Sequence, residues 1–167
     1  MTRQDVLEPG GPSPDLILAQ NFSYFIFADR ETLKAYFTNC RRSLRRDGVL
    51  ALDIFGGAGT HKRNLERTDY RSFVFWWEQT GFDPITHKAS CSIHFKPKGR
   101  RKVRDVFTYE WRMWTIPEIR DLLREAGFRK SNVYWEGDDG RDGNGVFTRV
   151  EQGGIEDVWI AMILAEK

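Results

Sequence analysis

The chain has 167 residues, a net charge of +2, and hydrophobic and aromatic contents of 40% and 14%. A chain of this length can fold as one domain with a substantial core, and this composition excludes a disordered protein. The balanced charge gives no indication of nucleic acid or a membrane surface as a partner. No apolar run approaches the roughly 18 residues that cross a bilayer, so we expect a cytoplasmic protein. In that compartment Cys40 and Cys91 are expected to be reduced, buried thiols rather than a disulfide.

The first regular elements form a strand–helix–strand unit. Residues 1–14 are rich in Pro and Gly and predict a loop or a loose terminus, which an apolar strand at 16–19 follows. Asp29 is placed to cap a helix that ends at Gly48, and a second apolar strand covers 49–55. Short connections of this kind predict a right-handed parallel βαβ unit.

A glycine-rich segment, Gly56-Gly57-Ala58-Gly59, follows the second strand. A dinucleotide-binding loop would need a third glycine three residues after the second and a packed helix behind it. Neither pattern is present, because residues 63–71 contain too few apolar residues for a core-facing helix. We therefore interpret the glycines as a flexible hinge.

The hydrophobic period then changes from helical to β. Residues 73–82, 89–95 and 103–111 are β-rich runs joined by short turns, which predicts a three-stranded antiparallel meander. Apolar and polar residues alternate along the second run, so one face of the meander is expected to be buried.

The C-terminal third returns to an α/β pattern. Residues 115–118 form a capping box for a helix that ends at Gly127. A strand at 128–136, a long Gly- and Asp-rich loop at 137–154 and a final strand at 158–165 complete the chain.

Several segments carry a resemblance to a known family, in the family's order. Residues 19–24 are similar to the segment after strand four of class I S-adenosylmethionine-dependent methyltransferases, and residues 44–57 to the end of helix four and strand five. Residues 109–118, followed by 126–128, resemble the start of the last helix. The resemblance covers nearly the whole chain, from about residue 14 to its end.

The resemblance implies an α/β fold. It would be an incomplete Rossmann-like methyltransferase sheet, strands four to seven, with an inserted three-stranded antiparallel meander. Residues 15–167 would form a partial methyltransferase domain in which 73–114 is a β insertion that covers the substrate. The family's glycine-rich cofactor loop and the acidic residue that holds the ribose would both lie before Met1. We therefore expect a truncated chain.

The same resemblance implies S-adenosylmethionine as cofactor and assigns residues to its site. The residues expected to contact the cofactor are Ala19, Gln20 and Phe22, and those on the acceptor side of this rim are Asn21, Ser23 and Tyr24. Asn21 and Ser23 could equally serve as turn caps. No catalytic residue is assigned, because methyl transfer at a sulfonium carbon mainly requires alignment of donor and acceptor.

The meander contributes a predicted aromatic pocket, although ordinary sheet packing is an alternative for each Trp. The residues expected to bind substrate there are Trp77, Glu78, Tyr109, Trp111, Arg112 and Trp114, with Trp76 as a further candidate. Aromatic faces attract a cationic methyl donor and would also hold an amine acceptor. Arg112 should have a partner, either a carboxylate on the acceptor or one of Glu78 and Glu110. The three histidines are too scattered for a metal site, and none is expected.

Two functions are compatible with these patterns. The first is methyl transfer from S-adenosylmethionine to a small-molecule acceptor by the parent protein. The second is a non-enzymatic binding or interaction module that has lost the cofactor-binding half. In either case the strand at 16–19 would be an exposed sheet edge, so a homodimer formed through that edge is expected.

Overall fold

The computed structural model describes residues 5–8, 13–139 and 143–167. Parts of two predicted loops, residues 1–4 and 9–12 of the N-terminal one and 140–142 of the later one, lie outside the described residues.

The described residues form two sheets and two α-helices. Helix α1 covers Arg30–Ser43 and helix α2 covers Ile116–Glu125. The main sheet has the order β1-β2-β9-β7-β8, and its strands are β1 (Leu16–Ala19), β2 (Val49–Gly56), β7 (Lys130–Asp138), β8 (Gly143–Val150) and β9 (Trp159–Glu166). The second sheet has the order β3-β4-β5-β6, and its strands are β3 (Asn64–Asp69), β4 (Phe73–Asp83), β5 (Lys88–Pro97) and β6 (Val103–Arg112).

The strand directions confirm the predicted mixed sheet. Strands β1 and β2 are parallel, whereas β9 runs antiparallel to both of its neighbours, β2 and β7. All pairs in the second sheet are antiparallel hairpins between sequence neighbours. The second sheet is therefore an insertion between β2 and α2.

Both helix starts follow from their capping residues. The side chain of Asp29 accepts a hydrogen bond from the Thr32 backbone N–H, as predicted. Thr115 and Glu118 form the complete capping box at the start of α2. The predicted end of α1 is wrong, because the helix stops at Ser43 and Leu44 adopts an extended conformation. Leu44 is thereby buried, and the turn to β2 is closed by the Gly48 N–H bond to the Arg45 carbonyl.

Two further elements were not predicted. Residues 64–69, for which only a core-facing helix was excluded, form β3, which adds a fourth strand to the three-stranded meander. Every residue of β3 is exposed, so it has no hydrophobic alternation that would indicate a strand. Within the predicted 137–154 loop, residues 143–150 form β8, which pairs with β7 as a hairpin.

The core lies between the main sheet and its helices. Leu33 and Phe37 of α1 and Leu122 of α2 are fully buried or nearly so, as are Leu52 of β2 and Ile163 of β9. No helix among the described residues is long and apolar enough to cross a membrane.

The two cysteines are unpaired and buried, as expected. Burial raises the pKa of the Cys40 thiol to about 11 and that of the Cys91 thiol to about 12. Both side chains therefore remain protonated near neutral pH and act as small apolar core residues.

Strand β1 is an edge of the main sheet, as the sequence predicts. Leu16 and Leu18 point to the same side of this strand and are 51% and 55% exposed. Unpaired backbone groups and apolar side chains are thus present together along one edge.

Candidate active site

A cavity of about 550 Å³ lies between the two sheets, where β1 and β2 end. The main sheet and its loops contribute Asn21, Phe22, Phe55, Gly59, Thr60, Val158 and Ile160 to its lining. The second sheet contributes Asn64, Glu66, Phe75, Trp77, Gln79, Ile93, Tyr109 and Trp111. Ligands of open α/β sheets bind at the carboxyl ends of parallel strands, so the position suits a functional site.

The loop after β1 is held by the carboxylate of Asp53 on β2. One carboxylate oxygen accepts the Asn21 N–H at 2.6 Å, and the other accepts the Phe22 N–H at 2.9 Å. Both loop residues adopt the left-handed conformation, with φ of 57° and 54°. Such conformations cost free energy in non-glycine residues and persist only where surrounding contacts enforce them. Asp53 thus fixes the position of Phe22 in the cavity wall.

Burial raises the pKa of the Asp53 carboxyl, and the two amide hydrogen bonds oppose that effect. The Tyr24 hydroxyl donates to the backbone carbonyl of Asp53 at 2.9 Å. Burial, followed by the charge of Asp53, holds the pKa of Tyr24 well above its usual value. Tyr24 is therefore a neutral hydrogen-bond donor that ties the loop to β2.

The loop after β2 is packed tightly rather than hinged. The Gly59 N–H donates to the Asp157 carbonyl at 2.7 Å. Gly57 has φ +110°, and a Cβ atom there would lie 2.3 Å from the Asp157 carbonyl oxygen. The interpretation of these glycines as a flexible hinge is therefore wrong, because the close approach of residue 157 requires them.

One wall of the cavity is aromatic. The Trp77 and Trp111 rings are 5.6 Å apart and the Tyr109 and Trp111 rings 4.6 Å apart, with interplanar angles of 32° and 35°. On the side of the main sheet, Phe22 packs against Phe55 at 4.5 Å and approaches Trp111 at 6.1 Å. These contacts join the rim of β1 to the meander.

Five of the predicted site residues meet in this cavity: Asn21, Phe22, Trp77, Tyr109 and Trp111. Ala19 and Gln20 stand at the end of β1 but outside the cavity lining, Ala19 buried and Gln20 exposed. Ser23 is exposed at the start of a short 3₁₀ turn, and Tyr24 is only 1% exposed within the core.

Arg112 and Trp114 lie outside the cavity and stabilise the fold. The Arg112 guanidinium is 3.7 Å from the Trp114 ring centroid, and it donates to the Ala28 carbonyl and to Glu118. The Trp114 indole N–H donates to the Phe27 carbonyl at 3.1 Å. The expectation of Glu78, Glu110 or an acceptor carboxylate as the partner of Arg112 is thus wrong; Glu118 takes this role.

Glu78 and Trp76 are on the opposite face of β4 from Trp77, since side chains alternate along a strand. Glu78 forms a 2.6 Å hydrogen bond with His94, which is 1% exposed. The Trp76 ring is covered by the Lys102 ammonium group at 4.1 Å. Neither residue lines the cavity.

The most informative residue that the sequence analysis missed is Gln79. It shares a strand face with Trp77 and Phe75, so the period of two could have placed it beside Trp77. Glu66 and Asn64 had no such signal, because they belong to the fully exposed β3.

A second cavity, of about 650 Å³, lies between α2 and β7 and contains none of the predicted site residues. Several of its charged side chains are engaged with one another or with Ser131. Arg124 pairs with Asp121, Arg149 with Glu151, and Arg120 contacts Ser131. Among the described residues, no group of three or more His, Cys, Asp or Glu is placed to hold a metal ion.

Solved structures match the chain over nearly its whole length. A methyltransferase from Clostridium acetobutylicum ATCC 824, described as S-adenosylmethionine-dependent, superposes with a TM-score of 0.67 at 19% identity, covering 99% of this chain and 63% of its own. The CcbJ methyltransferase from Streptomyces caelestis superposes with a TM-score of 0.66 at 13% identity, covering 96% of this chain and 61% of its own. The fold is that of S-adenosylmethionine-dependent methyltransferases.

An amino pentose methyltransferase from Micromonospora echinaspora shares this methyltransferase fold with a TM-score of 0.62 at 13% identity, covering 98% of this chain and 62% of its own. The chain therefore spans about three fifths of the length of these methyltransferases. No protein-family model matches the chain, and no curated protein matches it by sequence.

Proposed function

We propose that the protein to which this chain belongs transfers a methyl group from S-adenosylmethionine to a small-molecule acceptor. The observation that carries this proposal is the aromatic cavity at the carboxyl ends of β1 and β2, within a methyltransferase fold. The similar structures include methyltransferases of small molecules such as an amino pentose.

The residues at the end of β1 fit the cofactor's methionine end. When bound, S-adenosylmethionine supplies an electrophilic methyl group on a cationic sulfonium. Aromatic faces attract cations, and Phe22 and Trp111 present such faces at the rim. Ala19 and Gln20 remain predicted cofactor contacts on the same loop.

The acceptor would lie between this rim and the aromatic wall. Trp77, Tyr109 and Trp111 would hold it, with Asn21 at the rim. Their role is alignment, because a displacement at the methyl carbon requires the acceptor atom in line with the sulfonium. The second sheet, of which the predicted insertion 73–114 forms the larger part, would cover the acceptor and exclude water.

Isothermal titration calorimetry with S-adenosylmethionine tests this proposal. We expect micromolar binding by the chain if the residues after β1 are sufficient to hold the cofactor. Phe22→Leu should weaken this binding by about fivefold, because the aromatic face is lost. Phe73→Leu, which alters an aromatic side chain outside the cavity lining, is the matched control. Absence of binding even in excess ligand would contradict a working enzyme in this chain alone.

A second candidate function is a binding or interaction module without catalysis. The observation that favours it is the aromatic cavity itself, which would hold a ligand equally well without a reaction. Micromolar binding of S-adenosylmethionine would exclude this alternative.

We also propose a homodimer through the edge of β1, supported by the exposure of Leu16 and Leu18. Light scattering should give twice the chain mass of 19.5 kDa, and Leu18→Lys should reduce the mass to that of one chain. Val146→Lys, at the opposite edge of the same sheet and 61% exposed, should leave the dimer intact. A monomer at high concentration, or dissociation by Val146→Lys, would contradict this arrangement.

A further inference from the structure

A buried amide lies in the wall of the candidate active site. Gln79 is only 4% exposed, and its side-chain nitrogen donates to the Thr60 carbonyl oxygen. Because a carbonyl can only accept, this contact fixes the orientation of the amide. Oε1 is then the group left to accept a hydrogen bond.

That oxygen accepts no hydrogen bond from the described residues, and it is not among the side-chain atoms sealed away from solvent without a partner. The hydroxyl of Thr60 is already engaged, since it donates to the Gly57 carbonyl at 2.8 Å. Gln79 Oε1 is therefore an oriented acceptor in a largely apolar lining, whose other polar side chains include Asn21, Asn64, Glu66 and Tyr109. A ligand that buries this oxygen must donate to it or leave it unsatisfied.

The shape of the aromatic wall restricts the ligand as well. The planes of Trp77, Tyr109 and Trp111 lie within 35° of one another. These tilted rings form a continuous aromatic wall, against which another flat ring packs with a large contact area. A puckered polyhydroxylated ring contacts such a wall only through its C–H groups and covers less of it than a flat ring does.

The charge of the cavity is negative. Within the part of the chain that the structure describes, Glu66 is the only charged residue in the cavity lining, and it contacts Asn64 at 2.7 Å. Among the described residues, no cation forms an ion pair with Glu66 at 4.0 Å or less. An anionic ligand would therefore be repelled, whereas a neutral or cationic one would not.

We infer that the acceptor is a flat ring, neutral or cationic, that carries an N–H or O–H donor, and that Gln79 Oε1 determines its orientation. This inference rests on the proposed function, because it names the substrate class of the same site. It is nevertheless testable without the cofactor, so that the two can fail separately.

Ligand-observed NMR titrations with matched probes test the inference. Indole carries a ring N–H, and 1-methylindole is the same ring without it. We expect indole to bind about tenfold more tightly, since 1-methylindole leaves a buried acceptor unsatisfied. Methyl glucosaminide, as a polyhydroxylated amine, should bind more weakly than either.

Two variants test whether Gln79 is responsible for the preference for indole over 1-methylindole. Gln79→Met keeps the side-chain length but removes the acceptor, so the preference for indole should fall from about tenfold to about onefold. Gln152→Met, at an exposed glutamine in the second cavity, should keep the preference. Circular dichroism checks that both variants are folded, and the comparison of probes on the unaltered chain requires no variant.

A second pair of probes tests whether the cavity disfavours an anionic ligand. Indole-3-carboxamide should bind at least about threefold more tightly than indole-3-carboxylate, and Glu66→Gln should remove the difference. The inference is overturned if neither ring probe binds up to its solubility limit, if 1-methylindole binds as well as indole, or if the glucosaminide binds best. Failure of S-adenosylmethionine to bind would contradict a working enzyme in this chain alone while leaving the outcomes with the ring probes readable.

Discussion

A Gly57→Ala substitution is expected to lower the free energy of unfolding by about 4 kcal/mol. Gly57 has φ 110° and ψ 167°, a region that is essentially restricted to glycine. The added Cβ would also lie 2.3 Å from the Asp157 carbonyl oxygen, which is a backbone atom with little freedom to move. Urea denaturation followed by far-UV circular dichroism measures the change.

Two other glycines separate the effect of the positive φ from the effect of the close contact. Gly99 has φ +73° but no atom within 4 Å of its added Cβ, so Gly99→Ala should cost only about 1 kcal/mol. Gly81 has neither a positive φ nor a close neighbour, so Gly81→Ala should change stability by less than about 0.5 kcal/mol. If Gly57→Ala were no worse than Gly99→Ala, the close packing of the loop after β2 against residue 157 would be refuted.

Asp53→Ala is expected to lower the free energy of unfolding by about 3 kcal/mol, because two backbone N–H groups lose a charged acceptor. The burial that raises the pKa of Asp53 makes its charge costly, so the loss is smaller than two full charge-assisted hydrogen bonds. Without the carboxylate, Asn21 and Phe22 would leave the left-handed region. Thermal and urea unfolding measure stability, and the indole titration measures the accompanying loss of binding.

Asp15→Ala is the matched control for this effect. Asp15 directly precedes β1, and its ion pair with Arg45 is exposed on both sides. Exposed pairs contribute less than about 1 kcal/mol, so this change should be small. Equal losses in the two variants would show that Asp53 has no special role in holding the loop.

The elements with strong local signals were predictable. The four apolar residues of β1 and the capping box of α2 carry their structure in neighbouring residues, and both appear as expected. Strand β3 was not predictable, because its six exposed residues are ordered by pairing with β4 and not by an apolar face of their own.

The site was predictable only in part, for a related reason. That Trp77, Tyr109 and Trp111 lie together in a cavity was predictable, because bulky aromatic residues in a meander suggest a pocket. In sequence, Arg112 and Trp114 looked like further members of the same aromatic pocket. The chain leaves the sheet at this point, however, and both side chains bind the backbone of residues 27 and 28. Which face of a strand meets the main sheet depends on long-range packing, which alternation alone does not specify.

The pairing pattern of the two sheets has a kinetic consequence. Each strand of the second sheet pairs with its sequence neighbour through a short turn, whereas the main sheet must join Val49 to Glu166. Loop closure over that separation is entropically costly, so we expect the hairpins to form early and β9 to dock last. Val158 and Ile160, at the start of that last segment, close the cavity. A ribosome-bound chain would therefore carry its aromatic wall before it had any binding site.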